Sequence, residues 1–245
     1  MSDIITAALR ENRLQLSEHE GKELLKEYGV PVTREHPVWG EEEALEAARG
    51  IGYPVVLKVC SPEIIHKTER GLVALGLSNE DDLKRAWRDL TALAGQAPFL
   101  VQEMVFGSRE LVMGLTRDPQ FGPCVMFGLG GIFTEALNDV TFRAAPLEPR
   151  DVREMVQEIK GRRILEAIRG LEAVDMDQIS RALIGLGRLS LEEPAVREVD
   201  VNPVIICGSR PVAVDALVIL QSESNTALPE PAPSQAIRPD NSQGL

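Results

Sequence analysis

Cysteine, positive charge and long apolar runs are all scarce in this sequence, and each shortage argues against a class of protein. The three cysteines lie far apart in apolar segments without a CxxC pair, so we expect small core residues rather than disulfides, zinc ligands or nucleophiles. Lysine and arginine number 26 against 38 acidic residues, and the net charge of −12 argues against a nucleic-acid surface. No apolar run approaches the ~18 residues of a membrane span, so no membrane partner is expected.

The remaining composition is that of an ordinary globular protein. The chain has 245 residues, 44% of them hydrophobic, which is enough for one large domain or two small ones. Its first residues lack the basic and apolar regions of a signal peptide. Together with the unpaired cysteines, this predicts a cytoplasmic protein.

Helix and strand patterns alternate in the first half of the chain, and short strands dominate the second half. This succession predicts an α+β (α/β) protein of two lobes. We expect a lead-in at 1–15, loose or briefly helical, followed by lobes at 16–105 and 106–221. The tail at 222–245 has no large apolar residues in any period and is expected to be disordered.

Local signals place the individual elements. Ser17 and Glu20 have the spacing of a capping box, and the helix that they begin must stop before Pro31. Further helices are predicted at 41–49, 79–93, 150–159 and 176–191. Strands are predicted at 54–60, 71–77, 99–104, 111–115, 124–127, 132–137 and 140–144, with two more strands closing the chain.

Oxygen-donor side chains interrupt the two closing strands. Asp200 and Asn202 lie in one apolar strand pattern and Asp215 lies in the next. A buried carboxylate is unfavourable unless a cation or hydrogen-bond donors meet it, and carboxylate and amide oxygens are the ligands of a hard cation such as Mg²⁺. A lone Asp or Asn at a strand edge is usually a turn or capping residue. Three of them on two adjacent strands favour a metal site.

Two basic groups near the first buried strand suggest phosphate chemistry. Lys58 lies inside the apolar run Val-Val-Leu-Lys-Val-Cys and needs a negative partner, for which a nucleotide phosphate and a structural carboxylate are about equally good candidates. His66 lies in the polar loop that follows, with Lys67, Thr68 and Arg70 close by. That loop could hold phosphate or offer a histidine that accepts it covalently, although a surface histidine is usually only solvated.

Two further segments could contact a nucleotide. The strand that contains Glu103 leads into Gly107 and Ser108, a candidate hinge, and fits either adenine recognition or a plain edge strand; Glu110 begins the next strand. Gly130 and Gly131 belong to a glycine-rich turn, which allows close approach to an anion or a tight hairpin. The chain contains neither the Rossmann fingerprint nor a P-loop, so ATP binding would need another architecture.

Eight segments in order resemble one family, the ATP-grasp β subunits of ADP-forming acyl-CoA (acetyl-CoA) synthetases, which are related to the succinyl-CoA synthetase β chain. Together they cover nearly the whole of residues 16–220. The segments are Leu16-Ser-Glu-His-Glu-Gly-Lys-Glu-Leu-Leu, Pro54-Val-Val-Leu-Lys-Val, Ser61-Pro-Glu-Ile-Ile-His-Lys-Thr, Val101-Gln-Glu-Met-Val, Arg117-Asp-Pro-Gln-Phe-Gly-Pro, Phe127-Gly-Leu-Gly-Gly-Ile-Phe, Phe142-Arg-Ala-Ala-Pro-Leu and Glu198-Val-Asp-Val-Asn-Pro-Val.

The resemblance implies an ATP-grasp fold, two lobes gripping ATP or ADP, and the reaction acyl-CoA + ADP + phosphate ⇌ acid + CoA + ATP. It also implies a CoA-binding α partner with a phosphohistidine loop, in an α2β2-like hetero-oligomer. Carried over by position, the resemblance implies that Lys58 contacts the nucleotide phosphates, Glu103 lies on the adenine side and Glu110 contacts the ribose. Gly130 and Gly131 would line the site through their backbone amides. Asn202 and Asp215 would bind Mg²⁺, with Asp200 close by, and His66 would relay phosphate.

The sequence departs from the family pattern after His66, where Leu72 replaces a glycine. No CoA-binding domain is present either, so this chain alone is not expected to complete the ligase reaction. A nucleotide-sensing subunit without catalysis, or a stand-alone carboxylate–amine ligase, are the alternative functions.

Overall fold

The computed structural model describes residues 1–62, 71–131, 139–168 and 170–222. Within them, the chain forms two antiparallel sheets, each with its own hydrophobic core. The predicted α+β architecture of two lobes is therefore confirmed.

The helices and strands have the following bounds. The helices are α1 (Asp3–Arg10), α2 (Glu18–Glu27), α3 (Glu41–Ile51), α4 (Glu80–Ala94), α5 (Pro149–Glu158) and α6 (Met176–Glu192), with a 3₁₀ helix at Arg162–Leu165. The strands are β1 (Glu35–Val38), β2 (Val55–Val59), β3 (Val73–Leu77), β4 (Phe99–Glu103), β5 (Glu110–Asp118), β6 (Gly122–Leu129), β7 (Val140–Ala144), β8 (Val196–Cys207), β9 (Arg210–Ala213) and β10 (Leu217–Leu220).

The smaller lobe is a four-stranded sheet in the order β1-β4-β2-β3, with α3 and α4 packed on it. Every residue of β2 is buried, which explains its nearly continuous apolar sequence. Asn79 caps α4 by accepting a hydrogen bond from the backbone N–H of Asp82. Because β2 is a central strand of this sheet, the side chains that it places on the face opposite the helices are held in fixed positions.

The larger lobe is a sheet in the order β10-β8-β5-β6-β7, in which β9 also pairs with β8. α6 packs against β5, β6 and β8, and α5 packs against β7 and α6. β8 is twelve residues long, and one or two less buried residues separate its successive buried ones, because its pairing with β10 and with β5 shifts register once each. Its exposed positions are therefore available to a site on the open face.

The first thirty residues pack with the larger lobe. Ile5, Leu16 and Leu24 belong to the core of the large sheet, whereas the core of the small sheet begins at Val38. The capping box of Ser17 and Glu20 is present at the start of α2, as predicted. The core of the small sheet extends from Val38 to Val101, and the core residues on either side of that range belong to the large sheet.

Most of the predicted elements occur within a few residues of their expected bounds. The closing region has three strands instead of two, because the chain turns at Gly208, whose φ is 64°, and turns again after β9. Cys60 and Cys124 are buried as expected, whereas Cys207 is exposed at the end of β8. The predicted strand at 132–137, His66 and the tail from residue 223 onward lie outside the described residues.

Among the described residues, none of the helices combines the length and apolarity that crossing a bilayer requires.

A close approach between α2 and α6 provides a test of the packing. A Cβ atom added to Gly185 would lie 1.7 Å from the backbone oxygen of Tyr28, so the two backbones must separate to accommodate it. We expect Gly185→Ala to lower the free energy of unfolding by about 3 kcal/mol, measured by urea denaturation.

Gly187→Ala is the matched control on the same helix. Its added Cβ would meet the end of the flexible Leu147 side chain at 3.2 Å, so a small effect is expected. Equal destabilisation by both variants would contradict the packing argument.

Candidate functional site

A cleft with a cavity volume of about 270 Å³ lies between the two sheets and is lined by residues of both lobes. Most of its walls are apolar, and its polar groups are a lysine, an amide and a carboxylate. The lining residues are Val56, Lys58, Val73, Leu75, Gln102, Met104, Val105, Pro203, Ile205, Val214 and Asp215. Apolar walls with a few convergent polar groups are typical of a small-molecule site.

Lys58 lies near the end of β2, where it pairs with Leu100 of β4 and Val73 of β3. Its ammonium group donates a hydrogen bond to the Val214 backbone oxygen at 2.9 Å and forms a close ion pair with Glu18. Burial is the largest influence and lowers the pKa of Lys58; the Lys22 ammonium lowers it further, and Glu18 opposes both. The structural carboxylate that the sequence left as an alternative partner is thus present, and the lysine also lines the cleft.

A second lysine, Lys22, extends this charged cluster behind the cleft. Its ammonium group lies 2.8 Å from carboxylate oxygens of both Glu18 and Glu35. Burial opposes the charge, but the contacts with the two glutamates raise the pKa of Lys22 above its ordinary value. His19 joins the edge of the cluster through a 3.1 Å contact between its Nδ1 and Glu35 Oε1.

The predicted metal donors lie on the larger-lobe side of the cleft. Asp200 and Asn202 are two residues apart on β8, and Asp215 lies at the corner between β9 and β10. The corner is held to β8 by a 3.1 Å hydrogen bond from the Val214 N–H to the Pro203 oxygen. Burial raises the pKa of Asp200, and the carboxylate of Asp215 adds to that rise. Two carboxylates therefore lie close enough to repel each other, a condition that a cation relieves.

The donor chemistry of these three residues fits Mg²⁺. Across the described part of the chain, no group of three or more His, Cys, Asp or Glu side chains could enclose a metal ion. Mg²⁺ does not need such a cage, because it is usually held by one or two carboxylates together with substrate phosphates and water. Two carboxylates and one amide beside a cleft that also contains a lysine would satisfy this requirement if a phosphate and water completed the coordination.

Glu110 and the glycine-rich turn form a second group, at the end of the larger sheet. The Gly130 N–H donates to the Glu110 backbone oxygen at 2.7 Å. Gly131 has a φ of 64°, a backbone conformation that residues with a side chain rarely adopt, and a Cβ added there would displace the end of the Glu110 side chain, 2.8 Å away. Glu110 also pairs with Ile205, which lines the cleft, and the group therefore lies beside it.

Two further residues that the sequence analysis singled out, Glu103 and Leu72, do not line the cleft. Glu103 does not line the cavity: Arg34 holds its carboxylate through its backbone N–H and its Nε, each at 2.9 Å. Its neighbours Gln102 and Met104 do line the cavity. Leu72 packs into the core of the small lobe, so its side chain does not occupy the cleft.

Sequence analysis missed the roles of Glu18 and Lys22. Glu18 lies beside the Ser17 capping box, and that motif fully accounted for its segment. The available signal was Lys22 itself, a lysine in register with the apolar face of α2 one turn after a glutamate.

The fold and the site define a two-lobed nucleotide-binding protein, with a buried lysine and a carboxylate on opposite walls of one cleft. The chain belongs to the ATP-grasp family, whose ATP-grasp domain model matches residues 7–220.

Relatives of known activity share most of the chain. The β subunit of acetate–CoA ligase (ADP-forming) I from Pyrococcus furiosus is 42% identical over 225 residues, which are 89% of this chain and 97% of that subunit. Acetate–CoA ligase (ADP-forming) I from Archaeoglobus fulgidus is 43% identical over 211 residues, which are 83% of this chain but only 31% of the longer relative.

A solved structure matches over the same region. It is a dinucleotide-forming acetyl-coenzyme A synthetase from Candidatus Korarchaeum cryptofilum in complex with coenzyme A and Mg-AMPPCP, with its phosphohistidine segment pointing towards the nucleotide-binding site. It is 42% identical, with a TM-score of 0.80, and the match covers 89% of this chain and 99% of that chain.

The metal assignment predicts the effect of removing one ligand. We expect Asp215→Ala to abolish Mg²⁺-dependent nucleotide turnover in the assembled enzyme and to leave the circular dichroism spectrum unchanged, because the residue lies at a corner outside both cores. Asp89→Ala, an exposed acidic position on α4, is the control. Near-normal turnover of the Asp215 variant would remove the metal assignment.

The contact between His19 and Glu35 predicts a pH dependence of stability. The hydrogen bond to Glu35 is the largest influence and raises the pKa of His19 above 6.5. The contact therefore stabilises the fold fully below the unfolded-state pKa, and this stabilisation is lost as the pH rises through the folded-state pKa. We expect His19→Gln to lower the melting temperature at about pH 5.5 and to have little effect at about pH 9. An equal decrease at both values would contradict this assignment.

Proposed function

We propose that this chain is the nucleotide-binding β subunit of an ADP-forming acid–CoA ligase, an acyl-CoA synthetase. The complete enzyme converts acyl-CoA, ADP and phosphate into the free acid, CoA and ATP, and also runs in reverse. The observation that carries this proposal is the convergence of Lys58 and Asp215 on one interlobe cleft, with Asn202 and Asp200 on the adjacent strand. The named relatives at 42–43% identity support it.

The step assigned to this subunit transfers a phosphoryl group from a phosphohistidine of the α partner to ADP. The phosphorus–nitrogen bond breaks, a phosphorus–oxygen bond to the β-phosphate forms, and the released imidazole nitrogen takes up a proton. Such a reaction depends mainly on positioning and on neutralising the phosphate oxygens. Apart from His66, which relays the phosphoryl group between the α histidine and ADP, it therefore needs no activated side-chain nucleophile and no oxyanion hole in this chain.

The described residues supply the positioning. The Lys58 ammonium contacts phosphate oxygens from the small lobe, and the backbone amide of Gly131 approaches from the other. Gly130 lines the turn, but its own N–H is donated to the Glu110 backbone oxygen. Asn202 and Asp215 hold Mg²⁺, with Asp200 close by; the ion supplies positive charge to the phosphates when bound. The apolar walls at Met104 and Val105 suit the flat face of an adenine ring.

The other residue roles rest on the family resemblance. Glu110, beside the glycine turn, contacts the ribose. Glu103 acts on the adenine side indirectly: its ion pair with Arg34 fixes the end of β4, next to Gln102 and Met104. His66 relays phosphate on the β side, although it lies outside the described residues.

The partner is a CoA-binding α subunit with a phosphohistidine loop, in an α2β2-like hetero-oligomer located in the cytoplasm. The β-subunit name of the Pyrococcus furiosus relative supports this arrangement. A nucleotide sensor without catalysis is the alternative. Its main support was the departure from the family pattern at Leu72. Because the Leu72 side chain is buried in the small-lobe core, it does not block phosphate in the cleft.

Co-purification followed by reconstitution tests the proposal. We expect the tagged chain, isolated from its source cells, to bring down a CoA-binding chain with a phosphohistidine loop. The pair should form ATP from acetyl-CoA, ADP and phosphate, because each chain supplies a site that the other lacks.

The controls separate the two functions. Neither chain alone, nor the pair with Asp215→Ala, should form ATP. A chain that is recovered alone, binds Mg-ADP and exchanges no phosphate with any partner would contradict the ligase and favour the sensor.

A further inference from the structure

Lys22 is a completely buried lysine that touches the nucleotide cleft from behind. Its side chain is 0% exposed, and it does not line the cavity. Five oxygens of both lobes surround its ammonium group, three from α2, β1 and β4 and two from loop residues. They are Glu18 Oε1 at 2.8 Å, Glu35 Oε2 at 2.8 Å, Thr33 Oγ1 at 3.1 Å, Gln102 Oε1 at 2.7 Å and the Val214 backbone oxygen at 2.9 Å.

Two of these oxygens are shared with Lys58. The Val214 oxygen accepts from both ammonium groups at 2.9 Å, and Glu18 Oε1 is paired with both. The two lysines are thus bridged by one carboxylate oxygen and one carbonyl oxygen. Glu18 and Glu35 balance their two charges, and both carboxylates are at most 3% exposed.

Stability alone does not explain this cluster. A buried ion network is often no more stabilising than well-packed apolar residues of similar volume, because every charge loses its hydration. Leu24 and Leu25 beside it show that α2 contributes ordinary apolar packing to the core. The acceptors are instead cleft residues: Gln102 and Val214 line the cavity, and Val214 immediately precedes Asp215.

We propose that Glu18 and Lys22 are positioning residues for nucleotide phosphate binding, which hold the Lys58 ammonium and the chain corner at 214 and 215 in place on opposite walls of the cleft. This inference rests on the proposed function, since it assumes that Lys58 meets a phosphate. Glu18 orients Lys58 directly. Lys22 fixes Glu18, and it also anchors the corner that presents Asp215.

The cluster also links the lobes at their point of contact. Glu18 and Lys22 lie on α2, which packs with the larger lobe, whereas Lys58 and Gln102 belong to the small sheet. Removing the Glu18 charge should therefore change the part of the cleft at which Lys58 meets the phosphate, and should leave the packing of both cores unchanged.

Nucleotide affinity of the full chain tests this inference. We expect Glu18→Gln and Lys22→Met each to raise the Kd for Mg-ADP by roughly tenfold or more, because a charge-assisted contact to Lys58 or to the corner loses its alignment. Titration calorimetry well below the melting temperature of each variant restricts the comparison to folded protein. Lys58→Met provides the reference for loss of the phosphate contact.

Two exposed positions on the same helix supply matched controls. Glu23→Gln and Lys26→Met make the same chemical changes in a surface ion pair, and both should bind Mg-ADP within about twofold of the unmodified chain. In the assembled enzyme, the KM for ADP should rise in the Glu18 and Lys22 variants, while the KM for acyl-CoA stays unchanged. A merely structural role would not produce that split.

The double variant Glu18→Gln with Lys22→Met covers the case in which a single variant does not fold. It removes one charge of each sign and leaves Glu35 paired with His19, so it should fold even where a single variant fails. Folded variants that bind Mg-ADP as tightly as the unmodified chain would overturn the positioning role. An unmodified chain that binds no Mg-ADP would overturn the proposed function, and this inference with it.

Discussion

Two buried ammonium groups that share one carboxylate and one carbonyl oxygen join the lobes of this protein. Lys22 comes from a helix of the larger lobe and Lys58 from a central strand of the smaller one, and both bind Val214 in the chain corner between them. Neither ammonium could be buried without Glu18 and Glu35, since a lone buried charge is strongly unfavourable. The position of the cleft, and of Asp215, the proposed metal ligand that follows Val214, depends on this balance of charge.

The remainder of the fold places polar groups on rigid elements. Lys58 is held on both sides by neighbouring strands, and Asp200 and Asn202 stand on the longest strand of the large sheet. Groups held in this way lose little freedom when a ligand arrives, which favours both binding and phosphoryl transfer. The two separate cores allow each sheet to keep this rigidity independently.

Local patterns in the sequence predicted what depends on near neighbours. The apolar run around Lys58 indicated a buried strand, and Asp200 and Asn202 were noticed because they interrupt the apolar pattern of a closing strand. Contacts across the fold could not be obtained in this way. Glu103 meets Arg34, 69 residues away, and Lys22 meets Gln102, 80 residues away; no spacing in the sequence encodes either pair. The contact of Glu18 with Lys58 was not recognised from the sequence, because a nearby capping motif already explained the residues of that segment.

The register shifts of β8 have a consequence for how such a site can change over time. Its buried positions fill the core of the large sheet, and the intervening positions carry Asp200 and Asn202. The strand contains one extra residue at each of two shifts, against β10 and against β5, and its valines remain in the core on both sides of each shift. Between the shifts, at 199–201, the side chains alternate, so an insertion there without a compensating bulge would turn Asp200 into the core. Changes in the length of this strand are therefore best accommodated at its bulges, and the residues between them can diverge only by substitution.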